Sequence, residues 1–317
     1  MNARLTESAS GIYVIAATPF TDTGALDLSS VDRLADFYLS CGVNGMTILG
    51  MMGEASKLSS EECDLVMRRF LSCIQSRIPV IVGVSNPGTN PLVSLAQSAM
   101  DAGAAGVMIA PLPSHQTEEQ LINYFTSTCD ALGPDVPIVL QDYPTVTTAY
   151  ISVPTIEKLI DQVPQIVMLK HEDSGAHNKL SRLRRGADSK AHRRISILVG
   201  NGGLYLPQEL ARGADGAMTG FAYPEMLVQV CKLFASGKAD AGEDLFDTYL
   251  PLLRHEAQLG IGIALRKELL RRRGAIASAF VRAPGPTLTV EDNLELDRLI
   301  ARLERNIYQP TAQARLA

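Results

Sequence analysis

PVIVGV, residues 79–84, is a continuous apolar stretch that ends at the polar pair Ser85-Asn86. Strands that are buried on both faces of a parallel sheet show such uninterrupted runs of valine and isoleucine. Similar runs lie before and after it, at residues 12–18, 45–49, 106–110, 137–141, 166–170, 195–200 and 215–219. An amphipathic stretch follows each run. The sequence therefore predicts eight buried parallel strands, each followed by a helix.

Eight strand–helix units in succession predict a protein of the α/β class that closes into a (β/α)8 TIM barrel. An open doubly wound sheet is the alternative, but it requires a glycine-rich phosphate loop where Thr18-Pro19-Phe20 stands. The region after the eighth unit shows no strand pattern and predicts helices. We therefore expect a barrel over residues 1–226 and a C-terminal helical domain over residues 227–317. We interpret a basic run at residues 266–273 as a solvated helix face or a subunit contact.

The composition excludes several classes of protein. The 317 residues carry a net charge of −5 and no tryptophan, which argues against a nucleic-acid-binding protein. The five cysteines show no CxxC spacing, so zinc and thioredoxin-like sites are not expected, and scattered thiols suit a reducing compartment. We find neither an apolar window of ~18 residues nor a signal-peptide pattern in residues 1–10. We expect a cytoplasmic protein without a nucleic-acid or membrane partner.

Lys170 is the residue at the strand ends that most directly indicates chemistry. It closes the apolar run 166–169, so its amine should enter the apolar mouth of the barrel, where active sites of this fold lie. Burial disfavours the charged form, and a neutral amine forms a Schiff base with carbonyl groups. The alternative is a lysine that reaches solvent or pairs with Glu172 or Asp173. A metal site at residues 171–173 is not expected, because adjacent strand residues point to opposite faces.

Glycines at other strand ends allow a small ligand to approach the backbone closely. They are Gly50 and Gly53 in the segment Gly50-Met51-Met52-Gly53-Glu54, and Gly200 and Gly202 on either side of Asn201. Ordinary turns between strands and helices explain any one of these glycines equally well.

The GxxGE element at residues 50–54 is followed, in a specific order and spacing, by the strand that ends at Lys170. With these motifs the sequence resembles the dihydrodipicolinate synthase / N-acetylneuraminate lyase family of pyruvate-dependent class I aldolases. The resemblance covers nearly the whole chain and is carried by Thr18-Pro19-Phe20, the GxxGE element at residues 50–54, the strands at 79–84 and 166–170, and Gly200-Asn201-Gly202. It implies a (β/α)8 barrel with a C-terminal helical region, a homotetramer, and Lys170 as the Schiff-base lysine. It also implies a 2-oxo acid such as pyruvate as the substrate, with no cofactor or metal.

The resemblance transfers the family's site residues only in part. The family's GxxGE loop binds the carboxylate of the 2-oxo acid through backbone N–H groups and a hydroxyl, and here Met51 and Met52 lack the hydroxyl. Gln141 stands at the position of the family's catalytic tyrosine, and Tyr143 is the obvious substitute. The family's arginine for a second carboxylate is missing from residues 145–148. The candidates are catalytic Lys170, Tyr143 and Gln141, and substrate-binding Gly50, Met51, Met52, Gly53, Gly200, Asn201 and Gly202.

Two functional hypotheses remain. Lys170 in an apolar strand favours a Schiff-base lyase that acts on a 2-oxo acid, as an aldolase or a dehydratase. Gln141 does not titrate and suits an enzyme that positions water or a substrate hydroxyl, and the missing tyrosine and arginine argue against a true dihydrodipicolinate synthase. Loss of the family hydroxyls favours the alternative, a catalytically silent barrel that binds a small ligand as a sensor or paralogue.

Overall fold

Eight parallel strands close into a barrel, in chain order, in the computed structural model, which describes residues 4–173, 175 and 177–308. The strands are β1 Gly11–Ile15, β2 Gly45–Ile48, β3 Val80–Gly83, β4 Gly106–Ile109, β5 Ile138–Asp142, β6 Ile166–His171, β7 Ser196–Val199 and β8 Gly216–Thr219. Each strand overlaps one of the apolar runs in the sequence. The predicted (β/α)8 barrel is therefore confirmed.

Helices surround the barrel and continue after its last strand. They are α1 Leu28–Ser40, α2 Ser60–Ile74, α3 Thr89–Asp101, α4 Glu118–Leu132, α5 Pro144–Thr147, α6 Val153–Gln162, α7 His177–Asp188, α8 Leu206–Ala211, α9 Pro224–Ala235, α10 Ala239–Glu256, α11 Gly262–Arg272 and α12 Val290–Tyr308. Ser59 and Thr117 begin α2 and α4 with capping boxes, which satisfy free backbone N–H groups. Within the described residues, every helix is too short or too polar to cross a membrane.

The strand register places the predicted lysine at the mouth of the barrel. Gln141 of β5 pairs with Lys170 of β6, and β6 continues one residue beyond its predicted end, to His171. Successive side chains of a strand point to opposite faces of the sheet. Lys170 therefore faces the barrel interior, whereas His171 faces the surrounding helices.

Helices α9–α12 form the helical region that follows the barrel. Its first helix begins at Pro224, slightly before the boundary predicted at residue 226. In this region α10 packs against α9 and α12. The division into two domains at residue 226 stays a prediction, and the last part of the predicted second domain, residues 309–317, lies outside the described residues.

A buried ion pair joins the barrel to α11. Lys267 of α11 is fully buried, and its Nζ contacts Glu54 Oε1 in the loop after β2. The other oxygen of this carboxylate accepts hydrogen bonds from Lys57 Nζ at 2.9 Å and from the backbone N–H of Arg282 at 3.0 Å. Burial lowers the pKa of Lys267 to about 8, and the charge of Glu54 opposes this shift. These contacts hold α11 and the loop at residues 50–54 together.

We expect Lys267→Met to lower the free energy of unfolding by about 3 kcal/mol, because Glu54 stays buried and loses its closest cation. Urea unfolding followed by circular dichroism measures the change. The control is Lys267→Met combined with Glu54→Gln, which removes both charges and should regain part of the loss. Equal unfolding free energies for the wild type and Lys267→Met would contradict the expectation.

Candidate active site

A cavity of about 440 Å³ opens at the carboxyl ends of the strands, and its size suits a small-molecule substrate. The predicted site residues that line it are Met51, Met52, Gln141, Tyr143, Lys170, Asn201 and Gly202. Gly50 lines a neighbouring cavity of about 560 Å³, which shares Met51 and Gln141 with the first. Gly53 and Gly200 line neither cavity. The structure thus brings most of the predicted residues together.

Lys170 forms a buried ion pair inside this cavity. Its Nζ lies 2.9 Å from Glu172 Oε2, and both side chains are less than a tenth exposed, at 4% and 7%. The same oxygen accepts a hydrogen bond of 2.7 Å from Gln141 Nε2. One carboxylate therefore holds the lysine amine and the amide that stands at the position of the family's tyrosine.

Glu172 is a site residue that sequence reasoning missed. The sequence indicates it only as a possible partner of Lys170, although its place two residues further on puts both side chains on one face. Gly200 makes room for it, because a Cβ on Gly200 would lie 2.2 Å from Glu172 Cγ. Asn201 Nδ2 donates a 3.1 Å hydrogen bond to the backbone carbonyl of Glu172. Gly200 and Asn201 therefore position Glu172.

Tyr143 lines the same cavity, two residues beyond Gln141. Burial raises the pKa of its hydroxyl, the charge of Glu172 raises it further, and the guanidinium of Arg266 opposes the rise. The phenol is therefore protonated at neutral pH and able to donate a proton or a hydrogen bond.

The segment at residues 50–54 contributes thioether side chains to the cavity. Met52 is buried, and Met51 is 46% exposed at the mouth. Gly53 has a structural role, because its carbonyl accepts a buried hydrogen bond of 2.6 Å from Thr18 Oγ1. This bond ties the loop after β2 to the end of β1.

A second group of ionisable side chains lies on the outer face of β5 and β6. His171 Nδ1 is 3.5 Å from Asp142 Oδ2. Lys179 Nζ donates to the same oxygen at 2.6 Å and to Asp173 Oδ2 at 3.0 Å. Across the described part of the chain, no group of three or more His, Cys, Asp or Glu side chains is arranged to hold a metal ion.

Arg266 also reaches the cavity, from α11, and sequence reasoning missed it. The interpretation of residues 266–273 as a solvated face is wrong here, since Arg266 lines the cavity and Lys267 is buried. Arg266 Nε lies 2.7 Å from Glu256 Oε1, and Glu256 Oε2 accepts a 3.0 Å hydrogen bond from the Ala222 N–H. Burial raises the pKa of Glu256 to about 7, although the charge of Arg266 opposes the rise.

A family model and several known proteins match the chain over most of its length. Residues 8–303 match the model of the dihydrodipicolinate synthetase family. The chain belongs to this family. An L-2-keto-3-deoxyarabonate dehydratase from Azospirillum brasilense is 33% identical to it over 93% of this chain and 94% of that protein.

Solved structures of relatives agree with the observed barrel. A dihydrodipicolinate synthase from Rhodopseudomonas palustris, known from its crystal structure, shares 47% sequence identity with this chain. The match covers 95% of this chain and 99% of that chain, with a TM-score of 0.93. YagE from Escherichia coli K12, described as a putative 2-dehydro-3-deoxy-D-gluconate aldolase, is 27% identical over 93% of this chain and 97% of that protein. The structure of YagE in complex with pyruvate is 25% identical, covers 93% of this chain and 98% of that chain, and has a TM-score of 0.84.

Members of the family, including the dehydratase and the aldolase above, are lyases. The chain is accordingly a lyase of aldolase or dehydratase type. The alternative of a catalytically silent ligand-binding barrel is not favoured.

We expect Glu256 to make stability depend on pH. Its pKa is about 7 in the folded state, against an ordinary value of 4.5, so the folded state binds more protons between these values. Stability should therefore fall as pH rises from about 4.5 through about 7, by about 3 kcal/mol from this group. Urea unfolding across this range measures the fall, which should be smaller in Glu256→Gln. Glu243→Gln, at an exposed position of α10, is the control and should keep the wild-type profile. Identical profiles for the wild type and Glu256→Gln would refute the expectation.

Proposed function

We propose that this chain is a Schiff-base lyase that removes water from a 2-oxo-3-deoxy sugar acid, with Lys170 as the Schiff-base residue. The observation that carries the proposal is the buried Glu172 carboxylate, which holds the Lys170 amine and the Gln141 amide in one cavity. The complex of YagE with pyruvate supports a 2-oxo acid as the ligand. The activity named for the Azospirillum brasilense relative supports loss of water. The reaction proposed here uses protein side chains alone, without a cofactor or metal.

Glu172 prepares the lysine for attack and then stabilises the product of that attack. The Lys170 ammonium passes a proton to Glu172, and the neutral amine adds to the C2 carbonyl of the substrate. The hydroxyl of the resulting carbinolamine takes this proton and leaves as water, which forms a cationic iminium and restores the carboxylate. A charge that develops beside a fixed opposite charge in a dry site is strongly stabilised.

Loss of the substrate hydroxyl follows from the iminium. The restored Glu172 carboxylate takes the proton from C3, and the electron pair of that C–H bond forms an enamine. The enamine electrons then form the C3=C4 double bond and restore the iminium while the C4–O bond breaks, and the hydroxyl leaves as water after it gains a proton. Hydrolysis of the iminium consumes one water, releases the product and restores the Lys170 amine. The net change is the loss of one water molecule.

Tyr143 and Gln141 are suited to the step at C4. The protonated phenol of Tyr143 supplies the proton that the leaving hydroxyl requires, and the phenolate regains a proton from the protonated Glu172, which restores both groups. Gln141 cannot titrate, but its amide can hydrogen-bond to that hydroxyl. An aldolase would need the opposite transfer, in which a base removes the proton of the C4 hydroxyl while the C3–C4 bond breaks. A phenol that burial keeps protonated favours dehydration.

We also propose that the enzyme is a homotetramer in the cytoplasm. Large apolar side chains are exposed around the mouth in the single chain: Met51, Val146, Tyr205 and Leu259. Exposed apolar groups that cluster in this way mark contacts with other proteins. The five cysteines are free thiols, which supports a reducing compartment. Sedimentation of the purified protein measures the size of the assembly.

Lys170→Ala should abolish borohydride trapping of pyruvate, because the reacting amine is removed. Intact-mass spectrometry measures the reduced adduct, and peptide mapping of the wild type should locate it on Lys170. Lys158→Ala, at an exposed position of α6, is the control and should be trapped like the wild type. An undiminished adduct on Lys170→Ala would overturn the assignment.

We expect Glu172→Gln to lower kcat/KM by about 10²–10⁴-fold, because glutamine keeps hydrogen bonds to Lys170 and Gln141 but does not exchange the proton. The rate of water loss from a 2-oxo-3-deoxy sugar acid measures the effect. Asp173→Asn changes the adjacent carboxylate, which pairs with Lys179, and should leave the activity near that of the wild type. Wild-type activity in Glu172→Gln would show that the carboxylate has no role in proton transfer.

Substrate panels separate the possible lyase reactions. L-2-keto-3-deoxyarabonate should lose water, whereas release of pyruvate, measured with lactate dehydrogenase, would indicate aldol cleavage instead. Condensation of pyruvate with aspartate semialdehyde should be at least ~10³-fold weaker than in an ordinary dihydrodipicolinate synthase, because Gln141 replaces the tyrosine and residues 145–148 contain no arginine. A kcat/KM of ~10⁴ M⁻¹s⁻¹ or more for that condensation would contradict this expectation.

A further inference from the structure

Arg266 presents two guanidinium nitrogens to the cavity. Glu256 Oε1 holds its Nε at 2.7 Å, and among the described residues neither Nη1 nor Nη2 makes a hydrogen bond. Nη1 lies 3.7 Å from the position that a Cβ on Gly220 would take, and Nη2 lies 3.8 Å from the equivalent position on Gly202. All three residues line the cavity. The guanidinium therefore spans the ends of β7 and β8 at the mouth.

The charges around the cavity leave Arg266 as the cation available to an anionic ligand. Among the described residues that line it, the cationic side chains are Lys170 and Arg266. Lys170 pairs with Glu172 and, in the proposed reaction, bonds to the substrate carbonyl. A 2-oxo-3-deoxy sugar acid carries a single carboxylate, which is attached to that carbonyl. The two Nη atoms of Arg266, which Glu256 leaves unbonded, thus match one carboxylate.

We propose that Arg266 binds the substrate carboxylate next to the reacting carbonyl, an inference that rests on the proposed role of Lys170. Arg266 lies beside the loop after β2, because Met52 Cγ is 3.4 Å from the same Gly220 position that Nη1 approaches. The thioethers of Met51 and Met52 supply no donor for a carboxylate. The guanidinium supplies the charge that these side chains lack.

The local packing prepares Arg266 for this task. A guanidinium that is fixed through Nε presents its two Nη atoms as a planar fork, which matches the two oxygens of a carboxylate. Glu256 is buried, and the Ala222 N–H fixes the oxygen that Arg266 does not use, at 3.0 Å. Because the arginine is already held, binding costs little further side-chain entropy.

A structural role is the competing explanation, since Arg266 also compensates the buried charge of Glu256. The two roles differ in what they do to ligands of different charge. A carboxylate-binding arginine distinguishes pyruvate from its methyl ester, which carries the same carbonyl without the negative charge. An arginine that only supports α10 and α11 affects both compounds alike.

The experiment measures the concentration of pyruvate and of methyl pyruvate that gives half-maximal borohydride trapping in the full-length protein. In Arg266→Gln this concentration should rise about 10–100-fold for pyruvate and change little for methyl pyruvate. Arg266→Lys, which keeps the charge without the fork, should fall between Arg266→Gln and the wild type. Arg271→Gln, an exposed arginine of the same helix, is the matched control and should behave like the wild type.

Equal losses for pyruvate and methyl pyruvate would assign Arg266 a structural role and overturn the proposal. Unchanged trapping of pyruvate with weakened trapping of 2-oxoglutarate would assign Arg266 to a distal carboxylate and also overturn the proposal.

Lactate carries the carboxylate but no carbonyl, so its binding, measured by saturation-transfer NMR, is independent of the Schiff base. If the wild type is not trapped by borohydride, the proposed function is overturned. Loss of lactate binding in Arg266→Gln would still support the role of Arg266 in that case. Equal lactate binding in both proteins would overturn the role of Arg266.

Discussion

The arrangement of the barrel mouth depends on the buried carboxylate of Glu54. It pairs with Lys267 and Lys57 and accepts a hydrogen bond from the backbone of Arg282. One anion thus joins the loop after β2, helix α11 and the segment that follows this helix. Burial of a charge costs several kcal/mol unless such partners compensate it. Any placement of helix α11 that broke these contacts would therefore be unfavourable. Because Arg266 precedes Lys267 in α11, the pair that holds the helix also brings Arg266 to the cavity.

Two further buried carboxylates divide the chemistry of the mouth. Glu172 pairs with Lys170 inside the cavity, where a proton can pass between them. Glu256 pairs with Arg266 beside the cavity, and its second oxygen accepts a hydrogen bond from a backbone N–H. A carboxylate with both oxygens engaged by donors is suited to hold a side chain in place. The same functional group therefore serves proton transfer in one position and orientation in the other, according to what surrounds it.

Local patterns were sufficient to predict the strands and Lys170, and insufficient for the contacts that complete the site. The eight apolar runs are recognisable because a buried parallel strand needs no contribution from distant sequence. Glu54 and Lys267 are separated by 213 residues, and their contact depends on how α11 packs over the barrel. Glu172 is one of three titratable residues that follow Lys170, and strand alternation selects it only if the extended backbone continues past His171, where β6 ends. Gly200 was expected to admit a ligand, yet the space above it is filled by Glu172.

Gln141 explains how the site can belong to this family and still favour loss of water. A phenol at this position would add a titratable group beside Lys170. The amide instead adds a hydrogen-bond donor and an acceptor, and it neither gains nor loses a proton. Its Nε2 is committed to Glu172, which fixes the carboxylate against the lysine. Its carbonyl oxygen is then the part of the amide that can accept a hydrogen bond from a substrate hydroxyl. Proton transfer is left to Glu172 at the nitrogen and at C3 and to Tyr143 at the departing hydroxyl, and these are the three places where a dehydration requires it.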